Sequence, residues 1–212
     1  MNIYLLTAIF CLFGYLLSSV PFSLILPLWI KGIDVRKHGS GNTGATNVFR
    51  TCGMKFAIPC FLLDGIKGFA VVFCARWFFN FQFNGRFELF ILIAASCILG
   101  HVFSIFLKFK GGKGVATSLF VILALNPIGA LVFAATWLSV FFIGKISSLS
   151  ALLAFAALTL YSVFMLIKDK TFALAMLTLF YVVLTMFICY THRSNIKKLL
   201  QKKELNLKNV AK

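Results

Sequence analysis

Acidic residues are scarce in this chain. Five Asp and Glu stand against 21 Lys and Arg in 212 residues, and charged residues of both signs make up only 12%. Hydrophobic residues make up 61%, and the mean hydropathy is +0.97. So few charges cannot solvate the surface of an ordinary water-soluble domain, which indicates an integral membrane protein.

Metal-binding and disulfide patterns are missing as well. The six cysteines form no Cys-x-x-Cys pair and lie mostly in apolar runs, where Cys behaves as a small hydrophobic residue. We therefore predict neither a disulfide nor a metal site. Residues 1–30 lack a basic start and a small-residue cleavage site, so we expect a retained first span rather than a signal peptide.

Apolar stretches long enough to cross about 30 Å of hydrocarbon recur along the whole chain and leave no room for a soluble domain. Asn126-Pro127 is a turn signal that divides the longest stretch in two, and Pro27 predicts a kink or early exit in the first span. The prediction is an all-α protein, one membrane-embedded domain over residues 1–212. Its seven transmembrane helices span 3–30, 54–79, 87–107, 115–126, 128–143, 149–167 and 172–190, and a polar tail covers 191–212.

The positive charges predict the orientation of these helices. With seven spans, sixteen of the 21 basic residues fall on the side that carries the tail. Because cytoplasmic loops of membrane proteins are enriched in Lys and Arg, the N-terminus is predicted outside and the C-terminus in the cytoplasm. This rule also explains the net charge of +16 better than nucleic-acid binding does, so we expect no nucleic-acid partner.

The longest weakly hydrophobic run before the tail extends from Gly39 to Arg50. Its glycines permit positive φ and expose main-chain N–H groups, its other side chains are mostly short hydrogen-bonding groups, and Arg50 can donate two bonds to a phosphate. No carboxylate lies inside the run. This pattern predicts an anion-binding loop on the cytoplasmic side.

A second glycine-rich basic segment, Lys110 to Gly114, follows the third span. It does not match the nucleotide-binding P-loop, because Leu107 replaces the first glycine and Gly114 replaces the final hydroxyl residue. Flexible backbone next to Lys113 at a helix N-terminus suits a phosphate of another ligand. We predict no nucleotide site and no cofactor.

Other polar residues have structural readings. Asp64 and Lys67 lie three residues apart on one face of a span, which predicts a paired or cavity-facing pair. His101 fits a buried hydrogen-bonding residue, and Ser147 and Ser148 fit N-caps of the sixth span. The basic tail from His192 onwards fits an amphipathic segment on anionic lipid.

Together these residues resemble the bacterial acyl-phosphate-dependent glycerol-3-phosphate acyltransferases, seven-span membrane enzymes. The resemblance covers nearly the whole chain. It is carried by six segments: Pro21 to Ser23, Gly39 to Gly53, Asp64 to Gly68, Gly100 to Thr117, Ser147 to Leu149, and His192 to Ile196. The chain departs from the family pattern at Ser104, Lys145, Lys198 and Lys202.

The resemblance implies acyl transfer from acyl phosphate to the 1-hydroxyl of glycerol 3-phosphate, the first step of phospholipid synthesis, at the cytoplasmic side of a bacterial cell membrane. It implies that the acyl phosphate binds Gly39, Ser40, Gly41, Asn42, Gly44 and Thr46. It places glycerol 3-phosphate at Arg50, Lys113, Ser147, His192 and Asn195. Ser40, Lys113 and Asn195 position the reacting groups, and the implied partners are membrane lipid and the enzyme that produces acyl phosphate.

The residues also bear on the proton of the attacking hydroxyl. The only carboxylates predicted on the cytoplasmic side are Asp34 and Glu204, both outside the glycine-rich segments. Since the leaving phosphate can accept this proton, we predict substrate-assisted transfer with no protein general base.

Two other classes of protein remain as alternatives. A transporter for a phosphorylated metabolite would need ionisable residues near the bilayer midplane and usually internal repeats, and the third, fifth and seventh spans lack such residues. A structural protein that binds anionic lipid through its tail leaves the uncharged polar content of the Gly39 to Arg50 run unexplained.

Overall fold

The computed structural model describes residues 2–83 and 86–205, with the side chains of 80–83 left aside. Within these residues the regular structure is helical, as predicted. The ten α-helices are α1 Ile3–Ser19, α2 Phe22–Lys31, α3 Ala45–Cys52, α4 Met54–Phe83, α5 Phe87–Val102, α6 Val115–Leu125, α7 Pro127–Gly144, α8 Ser147–Lys168, α9 Phe172–Thr191 and α10 Arg193–Leu200. Short 3₁₀ turns lie at Val35–Lys37 and Ile105–Leu107.

The chain forms two compact units, Met1–Leu125 and Asn126–Lys212. The first contains α1 to α6 and both glycine-rich segments. The second contains α7 to α10. Positions 84–85 of the predicted link and 206–212 of the predicted tail lie outside the described residues.

Six helical stretches among the described residues are long and apolar enough to cross a membrane. They are Ile3–Lys31, Met54–Phe79, Phe87–Leu107, Pro127–Gly144, Ser147–Lys168 and Phe172–Thr191. The remaining predicted span corresponds to α6, whose 11 residues reach only about 16 Å along a helix. The number of seven spans therefore stays a prediction.

Arg76 of α4 satisfies the end of this short helix. Its guanidinium donates to the carbonyl oxygens of Ala124 and Leu125, the latter at 3.1 Å. The last four carbonyls of a helix have no partner within it, and in an apolar region such groups are costly to bury. Arg76 thus supplies α6 with part of the hydrogen bonding that water would supply at a surface.

The first predicted span is broken at a different proline from the one predicted. The helix ends at Ser19 and restarts at Phe22, whereas Pro27 lies inside α2. Pro21 has no N–H group and excludes the helical conformation from Val20, whose ψ is 117°. The exit follows Lys31, where Gly32 caps α2 at φ 66°.

The end of α5 is anchored to α1 by three hydrogen bonds. Tyr15 donates its hydroxyl to the carbonyl of Phe103 at 2.7 Å, Ser104 donates to the carbonyl of Ser19 at 2.6 Å, and Ser19 donates to that of Gly100 at 3.1 Å. The predicted span 87–107 therefore stops being α-helical after Val102. The other predicted boundaries agree with the helices to within four residues.

A small apolar core lies beneath the first glycine-rich segment. It is formed by Leu24, Val35, Val48, Cys52, Ala57 and Cys60, and both valines are fully buried. These residues come from α2, the Val35–Lys37 turn, α3 and α4. Burial of their side chains therefore holds α3 against α2 and α4.

Candidate functional site

Asn47 shapes the first glycine-rich segment. Its side chain is 2% exposed, and its Oδ1 accepts a hydrogen bond from the main-chain N–H of Ser40 at 2.8 Å. Its Nδ2 donates to the carbonyls of Val35 at 2.7 Å and His38 at 3.1 Å. A single amide thus ties the turn to the helix that follows it.

Two of the three glycines in this turn have the predicted positive φ. Gly39 is at 60° and Gly41 at 72°, while Gly44 is extended and serves as the N-cap of α3. A Cβ on Gly39 would also overlap Asn47 Oδ1. The sequence pattern therefore reflects both backbone conformation and close packing.

The second half of the predicted loop is a helix, α3. Thr46 lies in its first turn and Arg50 in its last, four residues on and therefore on the same face. The N–H of Asn47 donates to the carbonyl of the N-cap, Gly44, at 2.8 Å, and the positive end of the helix dipole lies at this first turn. The residues predicted to hold the acyl phosphate thus lie in one continuous stretch, a turn up to Gly44 and the first turn of α3.

Thr43 was not among the predicted site residues. It is 4% exposed, and its hydroxyl is buried without a hydrogen-bond partner among the described residues. An unsatisfied buried hydroxyl costs about 1–3 kcal/mol. Its position in the turn suits a ligand or a water that would supply the partner.

An exposed ion pair immediately precedes this turn in the chain. Arg36 donates to both carboxylate oxygens of Asp34, at 2.9 and 2.7 Å, and its own main-chain N–H bonds to the same side chain at 3.0 Å. The hydrogen bonds from Arg36 lower the pKa of Asp34 to about 2. Asp34 is thus engaged by Arg36 and stays ionised at neutral pH.

The second glycine-rich segment folds back on the end of α5. The N–H of Gly111 donates to the carbonyl of Val102 at 2.9 Å, and that of Gly112 to His101 at 3.1 Å. A Cβ on Gly111 would overlap the carbonyl oxygen of His101, and one on Gly112 would overlap the imidazole. Half-buried Lys113 follows directly, two residues before α6 begins.

His101 is buried, as predicted. It is 7% exposed, and its Nδ1 lies 3.9 Å from Asp64 Oδ1. The predicted pair of Asp64 and Lys67 is confirmed, with Nζ 2.8 Å from Oδ1 and both side chains 2% exposed.

In the second unit, Glu204 of the tail connects Ser148 and Asn195. Its Oε1 accepts hydrogen bonds from Ser148 Oγ at 2.9 Å and Asn195 Nδ2 at 2.6 Å. Because a carboxylate only accepts, this contact fixes which end of the Asn195 amide faces it. Glu204 lies outside the glycine-rich segments, as the sequence indicates, and its contact with Asn195 was not predicted; the available signal is that it is the one carboxylate in the sequence of the tail.

The structure defines the tautomer of His192 and the residue at which α8 begins. His192 Nδ1 lies 2.9 Å from the carbonyl oxygen of Ile188, which can only accept, so Nδ1 carries the hydrogen. The N-cap reading of Ser147 and Ser148 is wrong, since Ile146 is the N-cap of α8 and makes no side-chain cap bond. Ser147 is the first residue of the helix instead.

The predicted site residues are divided between the units. Ser40 and its neighbours, Arg50 and Lys113 belong to the first, whereas Ser147, His192 and Asn195 belong to the second. Among the described residues, no three His, Cys, Asp or Glu side chains are close enough to hold a metal ion.

Residues 8–202 match the model of a family described as glycerol-3-phosphate acyltransferase. The chain belongs to this family. The glycerol-3-phosphate acyltransferase 2 of Thermotoga maritima is 42% identical over 91% of the chain and 92% of the relative. The enzyme of Wolbachia pipientis subsp. Culex pipiens is 44% identical over 92% and 96%, and that of Bacillus subtilis 38% over 96% and 99%.

Two solved acyltransferase structures share the fold. Both are of PlsY (YgiH), an integral membrane glycerol 3-phosphate acyltransferase. Its glycerol 3-phosphate form has a TM-score of 0.84, 32% identity, and coverage of 97% of this chain and 99% of that one. Its lysophosphatidic acid form has a TM-score of 0.81, 33% identity, and 94% coverage of both chains.

Membership of the acyltransferase family decides the class of function. The chain is a multi-pass membrane glycerol-3-phosphate acyltransferase of the bacterial type, and a role in phospholipid biosynthesis follows from the family. The family resemblance seen in the sequence is confirmed. It favours an enzyme over the transporter and over the structural lipid-binding protein.

Proposed function

We propose that this acyltransferase uses acyl phosphate as donor and forms lysophosphatidic acid and inorganic phosphate. The glycerol 3-phosphate hydroxyl attacks the acyl carbonyl carbon, a new ester C–O bond forms, and the C–O bond to the phosphate breaks. The phosphate leaves with the bonding electrons and takes up the hydroxyl proton. The lysophosphatidic acid form of PlsY supports this product.

One observation carries the choice of donor: Asn47 fixes the turn from Gly39 to Gly44, and this turn runs directly into the N-terminus of α3. We assign the phosphate of the donor to main-chain N–H groups of this turn and of the start of α3. Such donors stabilise phosphate without reorganising during the reaction. No adenine- or pantetheine-sized surface is needed for an acyl phosphate, whose only polar part is the mixed anhydride.

The acceptor is assigned to two cations and three polar residues, of which Ser147 begins α8 and the other two lie in the tail. Arg50 and Lys113 would neutralise the phosphate of glycerol 3-phosphate, and Ser147, His192 and Asn195 would bind its oxygens. Ser40, Lys113 and Asn195 would align the hydroxyl with the acyl carbon. The glycerol 3-phosphate form of PlsY supports a dedicated site for this substrate.

Glu204 contacts one of these residues, Asn195, so its role needs a separate assignment. Its Oε1 already accepts from Ser148 and Asn195. We assign it to holding those two side chains, and the proton to the leaving phosphate. No protein general base is required.

The donor is tested with purified protein in detergent and labelled substrates. Acyl phosphate with glycerol 3-phosphate should give labelled lysophosphatidic acid, while acyl-CoA should give none above background. Robust transfer from acyl-CoA would overturn the choice of donor.

The proton assignment is tested by two variants. His192→Gln should raise the KM for glycerol 3-phosphate more than it lowers kcat. Glu204→Gln should leave the pH profile of kcat unchanged in shape, because the carboxylate is not the base. Loss of the acidic limb in Glu204→Gln, or a His192→Gln enzyme that binds both substrates normally yet is inactive, would contradict substrate-assisted transfer.

We also propose that the site lies on the cytoplasmic side of the bacterial inner membrane, with the N-terminus outside. Single cysteines placed in a cysteine-free protein test this. A membrane-impermeant thiol reagent applied from outside should label Asn126→Cys and Asp169→Cys but not Ile146→Cys or Leu200→Cys. Outside labelling at position 200 would contradict the seven-span topology.

A further inference from the structure

Asp64 lies in the first unit at the point where three helices meet. It is only 2% exposed, which is unusual for a carboxylate in apolar surroundings. It contacts the start of α2, Lys67 and the start of α6. An ionisable residue within a membrane span is costly and usually functional. Nothing in the proposed reaction uses it.

The first contact fixes the start of α2. Ser23 donates its hydroxyl to Asp64 Oδ2 at 2.5 Å and its main-chain N–H to the same oxygen at 3.3 Å. This carboxylate oxygen caps the free N–H end of α2 after the break at Pro21. The same helix leads through Gly32 into the turn from Gly39 to Thr46.

The second contact closes the other side of the break. Lys67 bridges Asp64 Oδ1 at 2.8 Å and the carbonyl oxygen of Val20 at 2.6 Å. The carbonyl end of α1 thus receives a cation while the N–H end of α2 receives an anion. The ion pair matches the dipoles of both half-helices and does more than neutralise itself.

The third contact fixes the segment that carries Lys113. Thr117, in the first turn of α6, donates its hydroxyl to the main-chain carbonyl of Asp64 at 2.8 Å. On the other side of that segment, His101 has Nδ1 3.9 Å from Asp64 Oδ1 and its ring against Gly112. Asp64 therefore lies between the elements that precede and follow Gly111 to Gly114.

We infer that Asp64 is a positioning residue for both glycine-rich segments: its carboxylate holds the first through Ser23, and its main-chain carbonyl holds the second through Thr117. It touches neither substrate and takes no proton. This assignment rests on the proposed function, in which the first segment binds the acyl phosphate and Lys113 binds glycerol 3-phosphate.

The test separates the hydrogen bond from Ser23, which we call the Ser23 arm, from the hydrogen bond from Thr117, the Thr117 arm. Ser23→Ala should raise the KM for acyl phosphate about tenfold and leave that for glycerol 3-phosphate within twofold, because it frees only α2. Thr117→Val should do the reverse. Asp64→Asn should raise the KM for acyl phosphate but leave that for glycerol 3-phosphate within twofold, because Thr117 binds the main-chain carbonyl, which this variant keeps. Each removes a single polar group or charge, and thermal unfolding shows whether the protein is folded.

A double variant separates positioning from mutual neutralisation. Asp64→Asn with Lys67→Met removes both charges, so an ion pair that only neutralised itself would regain wild-type constants. We expect the double variant to unfold near the wild-type temperature with the KM for acyl phosphate still raised about tenfold and that for glycerol 3-phosphate within twofold. Glu88→Gln, which removes an exposed carboxylate paired with Arg86 at 2.7 Å, is the matched control and should leave both KM values within twofold.

The outcomes divide cleanly. Opposite KM effects of Ser23→Ala and Thr117→Val, with a raised KM for acyl phosphate in the double variant, support the inference. Equal effects of both single variants on both substrates, or wild-type KM values in the double variant, overturn it. If Asp64→Asn does not fold, the two hydroxyl variants decide. If wild-type protein does not use acyl phosphate, the proposed donor fails, while the KM for glycerol 3-phosphate still tests the Thr117 arm.

Discussion

The two glycine-rich segments of the first unit are held by different kinds of contact. The turn from Gly39 to Gly44 depends on one side chain, Asn47, which bonds to the main chain at three places. The segment at Gly111 and Gly112 depends on main-chain bonds to the end of α5 and on the absence of side chains that would displace it. Both segments should therefore be sensitive to a side chain gained at a glycine, but the first alone should also be sensitive to the loss of one side chain, that of Asn47.

The largest effect is expected where both segments place a cation. Arg50→Ala and Lys113→Ala each remove charge-assisted bonds to substrate phosphate, which should cost about 2–5 kcal/mol, a thirtyfold or greater loss of kcat/KM. Steady-state kinetics measure this. Arg86→Ala, at an exposed arginine between α4 and α5, is the control for lost charge. Normal kinetics in either site variant would remove that residue from the site.

A gained side chain should damage the second segment next most strongly. Gly111→Ala places a Cβ on the carbonyl oxygen of His101, where main chain must move. Overpacking of this kind costs about 1–3 kcal/mol, so we expect roughly a tenfold to hundredfold loss of kcat/KM. Gly144→Ala is the matched control, since its Cβ would meet nothing within 4 Å. Equal losses in the two variants would show that the helix ends, and not this close contact, matter.

A lost side chain should damage the first segment with a selective signature. Asn47→Ala leaves two carbonyls and one N–H group without their partner, and the KM for acyl phosphate should rise about tenfold. The KM for glycerol 3-phosphate should stay within twofold. Thr51→Val removes a hydroxyl of the same helix that donates to the carbonyls of Asn47 and Val48, both within α3. This control should change neither KM value. A rise in both KM values for Asn47→Ala would mean that the two segments are not held separately.

The smallest effect is expected for the exposed ion pair of Asp34 and Arg36, which precedes the first segment. The pKa of Asp34 is lowered from 3.8 to about 2, so its ionised form stabilises the fold above pH 3.8, and this contribution is lost as the pH falls through about 2. Asp34→Asn should lower the thermal midpoint slightly at pH 7, by less as the pH falls below 3.8, and not at all well below pH 2. The difference should be smaller in high salt because the pair is exposed. A difference that persists at low pH would assign the effect to the N-cap bond rather than to the charge.

Local patterns predicted much of the fold and the character of both segments. The pairing of Asp64 with Lys67 follows from a spacing of three on a helix. The helix α3 was missed because Ala45 to Cys52 is short and polar, and what stabilises it is burial of Val48 and Cys52 in a core built by other elements. A single-helix pattern does not contain that information.

The proline break shows the same limit. Pro21 and Pro27 have the same local chemistry, yet the helix is interrupted only at Pro21. There, Asp64 and Lys67 bind the main-chain groups that the break sets free. Which proline ends the helix depends on residues of another span.

Local patterns are enough to recognise a helical membrane enzyme of one family, because hydropathy, helical spacing and glycine-rich motifs are properties of neighbouring residues. The partner of each buried polar group, in contrast, is set by helix packing. Ser23 meets Asp64 across 41 residues, and Ser148 meets Glu204 across 56. Such partners depend on how helices pack, since in an apolar interior a polar group must find its hydrogen bond wherever the fold brings one within reach.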